Sequence, residues 1–285
     1  MRITVRDIQK MKDDDEPIVM LTAYDATSGR LSEAAGVPML LVGDTLGMVI
    51  QGHEFPLQVT LDHIIYHASI VTRVTNKALV VGDMPFMSYH VSIEQALTNA
   101  GRLMQESGVS AVKMEGGESL AETISRVVDA GIPVMGHIGL MPQSVYKVGG
   151  FRVQGRDLDG AQQLLKDADA VQKAGAFAVV LESVPAPLAE MITERLHIPT
   201  IGIGAGAHCS GQVQVFHDIL GLFDEFVPRH TRQYAHLSGE IREAIGAYAH
   251  DVQARTFPGA ENSFTMKDEV LLALRADGAD HAAPG

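Results

Sequence analysis

Two rhythms of apolar residues alternate along this chain. Short, almost continuously apolar runs, such as Met39-Leu-Leu-Val42 and Ala78-Leu-Val-Val81, read as strands buried on both faces, the habit of a parallel sheet. Between them lie longer stretches whose apolar positions return every three or four residues, as in amphipathic helices. Strands are predicted over residues 18–23, 39–42, 79–81, 111–115, 133–137, 177–182, 200–204 and 212–217. Helices are predicted from Thr4 and over 25–35, 60–74, 92–106, 119–131, 157–174 and 187–196. Thr4, Thr60 and Ser92 suit the N-cap position, and Gly36, Gly108 and Gly131 suit the closing turn. Residues 138–156 read as a long loop. Beyond the last strand, 218–254 contains helical stretches, 266–276 a final amphipathic helix, and 277–285, rich in Ala, Asp and Gly, is expected to be disordered.

Eight strands alternating with helices predict an α/β fold, a (β/α)8 TIM barrel. A doubly wound sheet shares the local alternation. The barrel is favoured by the count of strands and by polar residues at their C-terminal ends, where barrel enzymes keep their sites. No linker-like composition divides the chain. Residues 1–264 therefore read as a single barrel with an N-terminal helix and C-terminal helical segments, and 265–285 as a partly disordered C-terminal extension.

Composition narrows the functional classes. With 46% apolar and 20% charged residues among 285, a sizeable core is available. A formal net charge of -13 argues against nucleic acid, whose phosphates need clustered Lys and Arg. The lack of Trp argues against a single-strand stacking groove. No apolar run approaches the roughly 20 residues of a membrane span, and the first residues lack a secretory apolar region. Cys209 is the single cysteine, which leaves no internal disulfide and no thiolate metal cage. A cytoplasmic location is expected.

Two of the predicted strands end in the same pair, Gly43-Asp44 and Gly82-Asp83, and a third ends in Glu115. Adjacent strands lie about 4.8 Å apart, so these carboxylates can converge on one hard cation such as Mg²⁺. Taken singly, each Asp could instead cap the following helix. Lys113 shares a strand face with Glu115 and could form a Schiff base, hold a substrate carboxylate or serve as a structural ion pair. His137, flanked by Gly136 and Gly139, could bind an anion, shuttle a proton, ligate a metal or simply be hydrogen-bonded. Glu182 ends an almost wholly apolar strand, a setting that disfavours its charge and suits a general base. Gly202-Ile-Gly-Ala-Gly206 could hold phosphate or serve close packing. His208 and Cys209, adjacent on a turn, make a weak nucleophile pair, and His217 reads as structural within the eighth strand.

Several motifs, in order and with ordinary spacing from about residue 4 to 264, resemble the ketopantoate hydroxymethyltransferase family. They are Leu21-Thr-Ala-Tyr-Asp25, Val42-Gly-Asp-Thr-Leu-Gly-Met-Val-Ile-Gln-Gly-His53, Gly82-Asp-Met-Pro-Phe-Met87 and Val112-Lys-Met-Glu-Gly-Gly117, followed by Gly136-His-Ile-Gly-Leu-Met-Pro-Gln-Ser144, Gly150-Phe-Arg-Val-Gln-Gly155, Leu181-Glu182 and Ile201-Gly-Ile-Gly-Ala-Gly206. The resemblance implies a barrel of the phosphoenolpyruvate/pyruvate superfamily, assembled as a homodecamer. It implies transfer of a one-carbon unit from 5,10-methylenetetrahydrofolate to 3-methyl-2-oxobutanoate, giving 2-dehydropantoate through a Mg²⁺-stabilised enolate. Carried onto this chain, Asp44 and Asp83 would bind Mg²⁺, with Glu115 close by through water. Those two Asp with Gly43, Thr45, Lys113 and His137 would hold the oxo acid, and Glu182 would be the base. The family's usual Ser is Thr45 here, the turn at 207–211 reads Ala-His-Cys-Ser-Gly, and the chain beyond about Ser263 lies outside the resemblance. Other readings of the same residues are a metal-free Lys113 Schiff-base aldolase and a non-enzymatic oxo-acid-binding protein.

Overall fold

The computed structural model describes residues 1–223 and 226–279, in two compact units, Met1–Ala235 and His236–Gly285. In the first unit eight parallel strands close in chain order. They are β1 (Ile18–Thr22), β2 (Met39–Val42), β3 (Leu79–Asp83), β4 (Ala111–Glu115), β5 (Val134–Gly139), β6 (Ala178–Glu182), β7 (Thr200–Ile203) and β8 (Gly211–Gln214). Pairing of β8 with β1, Val19 beside Gln212, closes the barrel and removes the doubly wound alternative.

Alternation along each strand sorts its side chains. Met20, Leu41, Val81, Met135, Val180 and Val213 fill the barrel interior. Leu40, Val42, Val80, Val112, Val179 and Leu181 face outward and pack with helix residues such as Ile64, Leu103, Ile124 and Val171. Two faces of burial explain why these strands read as continuous apolar runs. Each fully buried Leu, Ile or Val contributes about 1.5–3 kcal/mol.

The surrounding helices are α1 (Val5–Asp13), α2 (Ala26–Ala34), α3 (Leu46–Val49), α4 (Leu61–Val74), α5 (Ile93–Ser107), α6 (Ala121–Asp129), α7 (Val145–Val148), α8 (Leu158–Lys173), α9 (Ala186–Arg195) and α10 (Phe216–Ile219). Thr4, Thr60 and Ser92 cap α1, α4 and α5 as expected, each accepting from a backbone N–H three residues on. Gly108, at φ +74°, closes α5. Ile8 of α1 is fully buried and joins the interior cluster of Ile18, Met39 and Leu79 near the strand starts. That end of the barrel is plugged, and the opposite rim remains for chemistry.

The structure corrects the pattern in three places. Residues 138–156 are not a featureless loop: β5 runs on to Gly139, a 3-10 turn spans Pro142–Ser144 and α7 follows. Bonds made across the fold, rather than a local period, hold this stretch. His217 lies in α10, not in β8, because the Phe216 N–H donates to Thr22 Oγ1 at 2.9 Å and takes the chain out of the ladder. In the second unit, α11 (Leu237–Ala254) is followed by α12 (Asp268–Ala279), so residues expected to be disordered are helical through Ala279, where Asp268 and Glu269 favour the helix start. Residues 280–285, expected to be disordered, lie outside the described residues. Among the described residues no helix is long and apolar enough to cross a membrane.

Candidate active site

The inward register that places Val81 and Val180 in the core also turns the last residue of each such strand into the rim. Asp83 lies beside Lys113 in the β3–β4 ladder, and Glu115 beside His137 in β4–β5. Lys113 Nζ sits 2.9 Å from Asp83 Oδ1, 3.6 Å from Glu115 Oε1 and 3.2 Å from His137 Nδ1. His137 lies between two carboxylates, with Nδ1 3.3 Å from Glu115 Oε1 and Nε2 3.3 Å from Glu182 Oε2. Asp44 follows β2, and its N–H donates to Asp83 Oδ2 at 3.2 Å. Asp44, Asp83, Lys113, Glu115 and His137 are all buried. Thr45 begins the short turn into α3, and a Cβ at Gly43 would meet only ordinary contacts.

Burial of so many charges has electrostatic consequences. Burial first, then repulsion from Asp83 and Glu115, pushes the Asp44 carboxyl well above its ordinary value. Burial also raises Asp83, although Lys113 opposes it. For Glu115 burial raises, but His137 and Lys113 outweigh it and the net direction is down. Burial and Lys113 work against His137 protonation, yet the Glu115 and Glu182 carboxylates prevail and push it up to about 9. Lys113 is likewise held protonated, burial notwithstanding, by Asp83, Glu115 and Asp44.

The donor set suits a hard divalent cation. Asp44 and Asp83 offer only oxygen, and Asp44 in particular feels more negative than positive charge from its neighbours. Among the described residues no three His, Cys, Asp or Glu side chains already form a metal cage. Lys113 engages Asp83 and Gln143 engages Asp44. Such an arrangement fits Mg²⁺, which takes one or two carboxylates and completes its shell with water and substrate oxygens.

Two cavities meet at this rim. A small one of about 50 Å³ is lined by Asp44, Asp83, Lys113, Glu115 and His137. A second, of about 990 Å³, is lined mainly by apolar groups including Met48, Leu140, Phe151, Phe223 and Phe226. Thr45 and Glu182 line both. Glu182 is therefore the carboxylate at the junction. Its surroundings differ from the apolar setting expected, because Val179 and Leu181 point to the outer layer while Glu182 shares the inward face with Val180 and meets His137.

The glycine-rich turn after β7 is shaped by close packing. A Cβ on Gly202 would lie 2.9 Å from Cys209 Sγ, and one on Gly206, at φ +83°, 2.5 Å from Ala186 Cβ. His208 turns to Glu190 Oε1 at 3.4 Å, while Cys209 is half-buried behind Gly202. Two site residues were not singled out by sequence. Gln143 Nε2 donates to Asp44 Oδ2 at 2.8 Å and its N–H to Glu115 Oε2 at 3.1 Å. Tyr89 OH donates to Gln143 Oε1 at 2.8 Å and accepts from the Glu115 N–H at 3.0 Å. The Pro-Gln-Ser motif within an aperiodic stretch was the available signal.

Comparison with known proteins agrees with this geometry. A family model described as ketopantoate hydroxymethyltransferase matches residues 2–260. A relative from Chloroflexus aggregans, named 3-methyl-2-oxobutanoate hydroxymethyltransferase, is 58% identical over 273 residues, covering 96% of this chain and 97% of its own. A Dehalococcoides mccartyi protein of the same name is 52% identical over 275 residues, covering 96% and 98%. Among solved structures, a phosphonopyruvate hydrolase complexed with oxalate and Mg²⁺ superposes with a TM-score of 0.62 at 12% identity, covering 98% of each chain. A phosphoenolpyruvate phosphomutase from Streptomyces platensis subsp. rosaceus gives 0.60 at 14% identity, covering 98% of this chain and 96% of its own. At such identities these structures speak for the fold alone.

Proposed function

This chain belongs to the ketopantoate hydroxymethyltransferase family, and we propose that it transfers a hydroxymethyl group from 5,10-methylenetetrahydrofolate to 3-methyl-2-oxobutanoate. The product is 2-dehydropantoate, on the route to pantothenate and coenzyme A. One observation carries the reading: Glu182 stands where a small charged basin opens into a large apolar cavity. Two substrates of unlike size and polarity need such a junction between them.

The oxo acid fits the basin through charge. Lys113 and protonated His137 face its carboxylate and keto oxygen, and Thr45 with the Gly43–Asp44 backbone closes the side toward α3. Asp44 and Asp83 would hold Mg²⁺, with Glu115 reached through water. When bound there, the ion supplies Lewis acidity to the keto oxygen, which lowers the barrier to losing a proton at C3. Glu182 takes that proton, and His137, 3.3 Å from its Oε2, orients the carboxylate. The C3 electron pair forms the new carbon–carbon bond to the one-carbon unit. Water supplies the hydroxyl oxygen and tetrahydrofolate leaves, so two carbon–nitrogen bonds are replaced by one carbon–carbon and one carbon–oxygen bond. Lys113 adds positive potential where the keto oxygen gains charge. Pairing with Asp83, Glu115 and Asp44 keeps Lys113 protonated against the cost of burial, which disfavours the Schiff-base alternative. Assembly as a homodecamer and residence in the cytoplasm belong to this reading.

Hydrogen exchange at C3 of 3-methyl-2-oxobutanoate, followed by NMR without folate, isolates the first step. Glu182→Gln is expected to slow it by about 10²–10⁴-fold, and EDTA should suppress it until Mg²⁺ is restored. Exchange at the parental rate in Glu182→Gln would remove this residue as the base. Borohydride trapping of substrate on Lys113, with activity surviving EDTA, would replace the mechanism altogether.

A further inference from the structure

The carboxylates of the charged basin and its junction all have partners: Asp44 has Gln143, Asp83 has Lys113, and Glu115 and Glu182 share His137. Asp218 does not. It sits on α10 just after β8, is 7% exposed and lines the large cavity. Among the described residues no side-chain donor or cation reaches its carboxylate, and burial alone pushes it up to about 6. A buried carboxylate facing a largely apolar cavity is costly unless something in the cavity completes it.

We propose that Asp218 reads the aminopyrimidinone edge of a reduced pterin, accepting from its ring N–H and exocyclic amine, and so orients the one-carbon carrier in the large cavity. This rests on the folate reading given above. The oxo acid is excluded as the partner of Asp218, because its own carboxylate would be repelled. A pair of adjacent N–H donors on a flat, largely apolar body would complete the Asp218 carboxylate. The pterin ring presents two such donors side by side and can meet a carboxylate with two parallel hydrogen bonds. Phe151, Phe223 and Phe226, which line the same cavity, offer surfaces against which such a ring packs. Glu182 lines the same cavity, so a carrier anchored at Asp218 remains in the chamber where the proton is taken.

The test compares parent, Asp218→Asn and Asp218→Ala in binding of tetrahydrofolate and of its 2-desamino analogue by calorimetry. Exchange at C3, which uses no folate, is measured beside it. The parent should prefer tetrahydrofolate over the analogue by about tenfold or more, the scale expected when a buried acceptor loses its donor. Both variants should bind tetrahydrofolate at least about tenfold more weakly, and Asp218→Ala should lose the preference, while exchange proceeds. Parental affinity in both variants, or a preference that survives in Asp218→Ala, overturns the assignment. Loss of exchange together with binding also overturns it, since Asp218 would then be holding the fold. A parent that fails to bind tetrahydrofolate takes down the folate reading and this assignment with it. A parent that binds while the variants bind equally takes down this assignment alone.

Discussion

Gln143 joins the ends of β2 and β3 through its buried side-chain amide and that of β4 through its backbone N–H. Its Nε2 donates to Asp44 Oδ2 and to the Met84 carbonyl, its Oε1 accepts from Tyr89 OH, and its N–H serves Glu115. That amide offsets some of the repulsion that Asp83 and Glu115 exert on Asp44. Gln143→Ala is expected to lower kcat/KM about 10- to 100-fold if Asp44 holds Mg²⁺ as proposed, since Gln143 orients that carboxylate. It should also cost about 1–3 kcal/mol of stability, because buried acceptors lose their donor. Steady-state kinetics and denaturant unfolding check the two halves separately, and unchanged kinetics would reduce Gln143 to packing. Asp44, Asp83, Glu115 and His137 were legible in sequence because a polar group at the end of an apolar strand has few structural explanations, and Lys113 because it shares a strand face with Glu115. Gln143 and Tyr89 were not, since they are neutral and their partners are remote: Gln143 and Asp44 stand 99 positions apart in the chain. Glu182 was found for an incomplete reason. A one-dimensional reading averages over both faces of β6, whereas its inward face is shared with His137.

Among the elements, helices were legible where a capping side chain begins a period, and strands where both faces are buried. The stretch from 138 to 156 was not, because its turns depend on Gln143 and on neighbours such as Glu182, whose carbonyl accepts from the Leu140 N–H. Close approach of strand to helix gives two glycine predictions of opposite sign. A Cβ on Gly136 of β5 would lie 2.4 Å from Cγ1 of buried, β-branched Val171 on α8. Gly136→Ala is therefore expected to destabilise by about 1–3 kcal/mol. Gly101, inside α5, has nothing within 4 Å of its added Cβ, so Gly101→Ala should stabilise by about 0.5–1 kcal/mol. Chemical denaturation of both variants tests the pair. The junction of α2 with β3 carries a pH prediction. Glu33 accepts from the N–H groups of Asn76, Lys77 and Ala78. Burial works to raise its pKa, but these backbone donors outweigh it and hold it below the ordinary range. Its stabilisation is thus fully present above the unfolded value of about 4.3 and fades as pH falls through the depressed folded value. Glu33→Gln should lower stability by about 1–2 kcal/mol at neutral pH, with solvent screening part of the gain. The difference from the parent should close in acid, and a difference independent of pH would show that the charge is not what matters.

For the molecule as a whole, the barrel divides its labour by end: Ile8 and the first interior layer close one, and charged strand ends open the other. Closure of the sheet was legible only as a count of eight, since the β1–β8 pairing joins residues from opposite ends of the barrel sequence. Assembly is less legible still, because an apolar helix face reads the same whether a core or another subunit covers it. In the second unit, α11 contains no buried residue, and Ile241, Ile245, Tyr248 and Val252, at helical spacing, are 44%, 61%, 59% and 44% exposed. An apolar stripe of this kind on a single chain is a place for association. If the protein assembles as the proposed homodecamer, covering that stripe would contribute on the order of 25 cal/mol for each Å² of apolar surface removed from water. A glutamate in its middle would have to be desolvated without a partner. Ile245→Glu is accordingly expected to shift the parent's large species to smaller ones in size-exclusion chromatography with light scattering, while far-UV circular dichroism retains the barrel's signal. A parent of monomeric mass ends the proposal of an assembly, and a variant that keeps the parental mass removes this stripe from it.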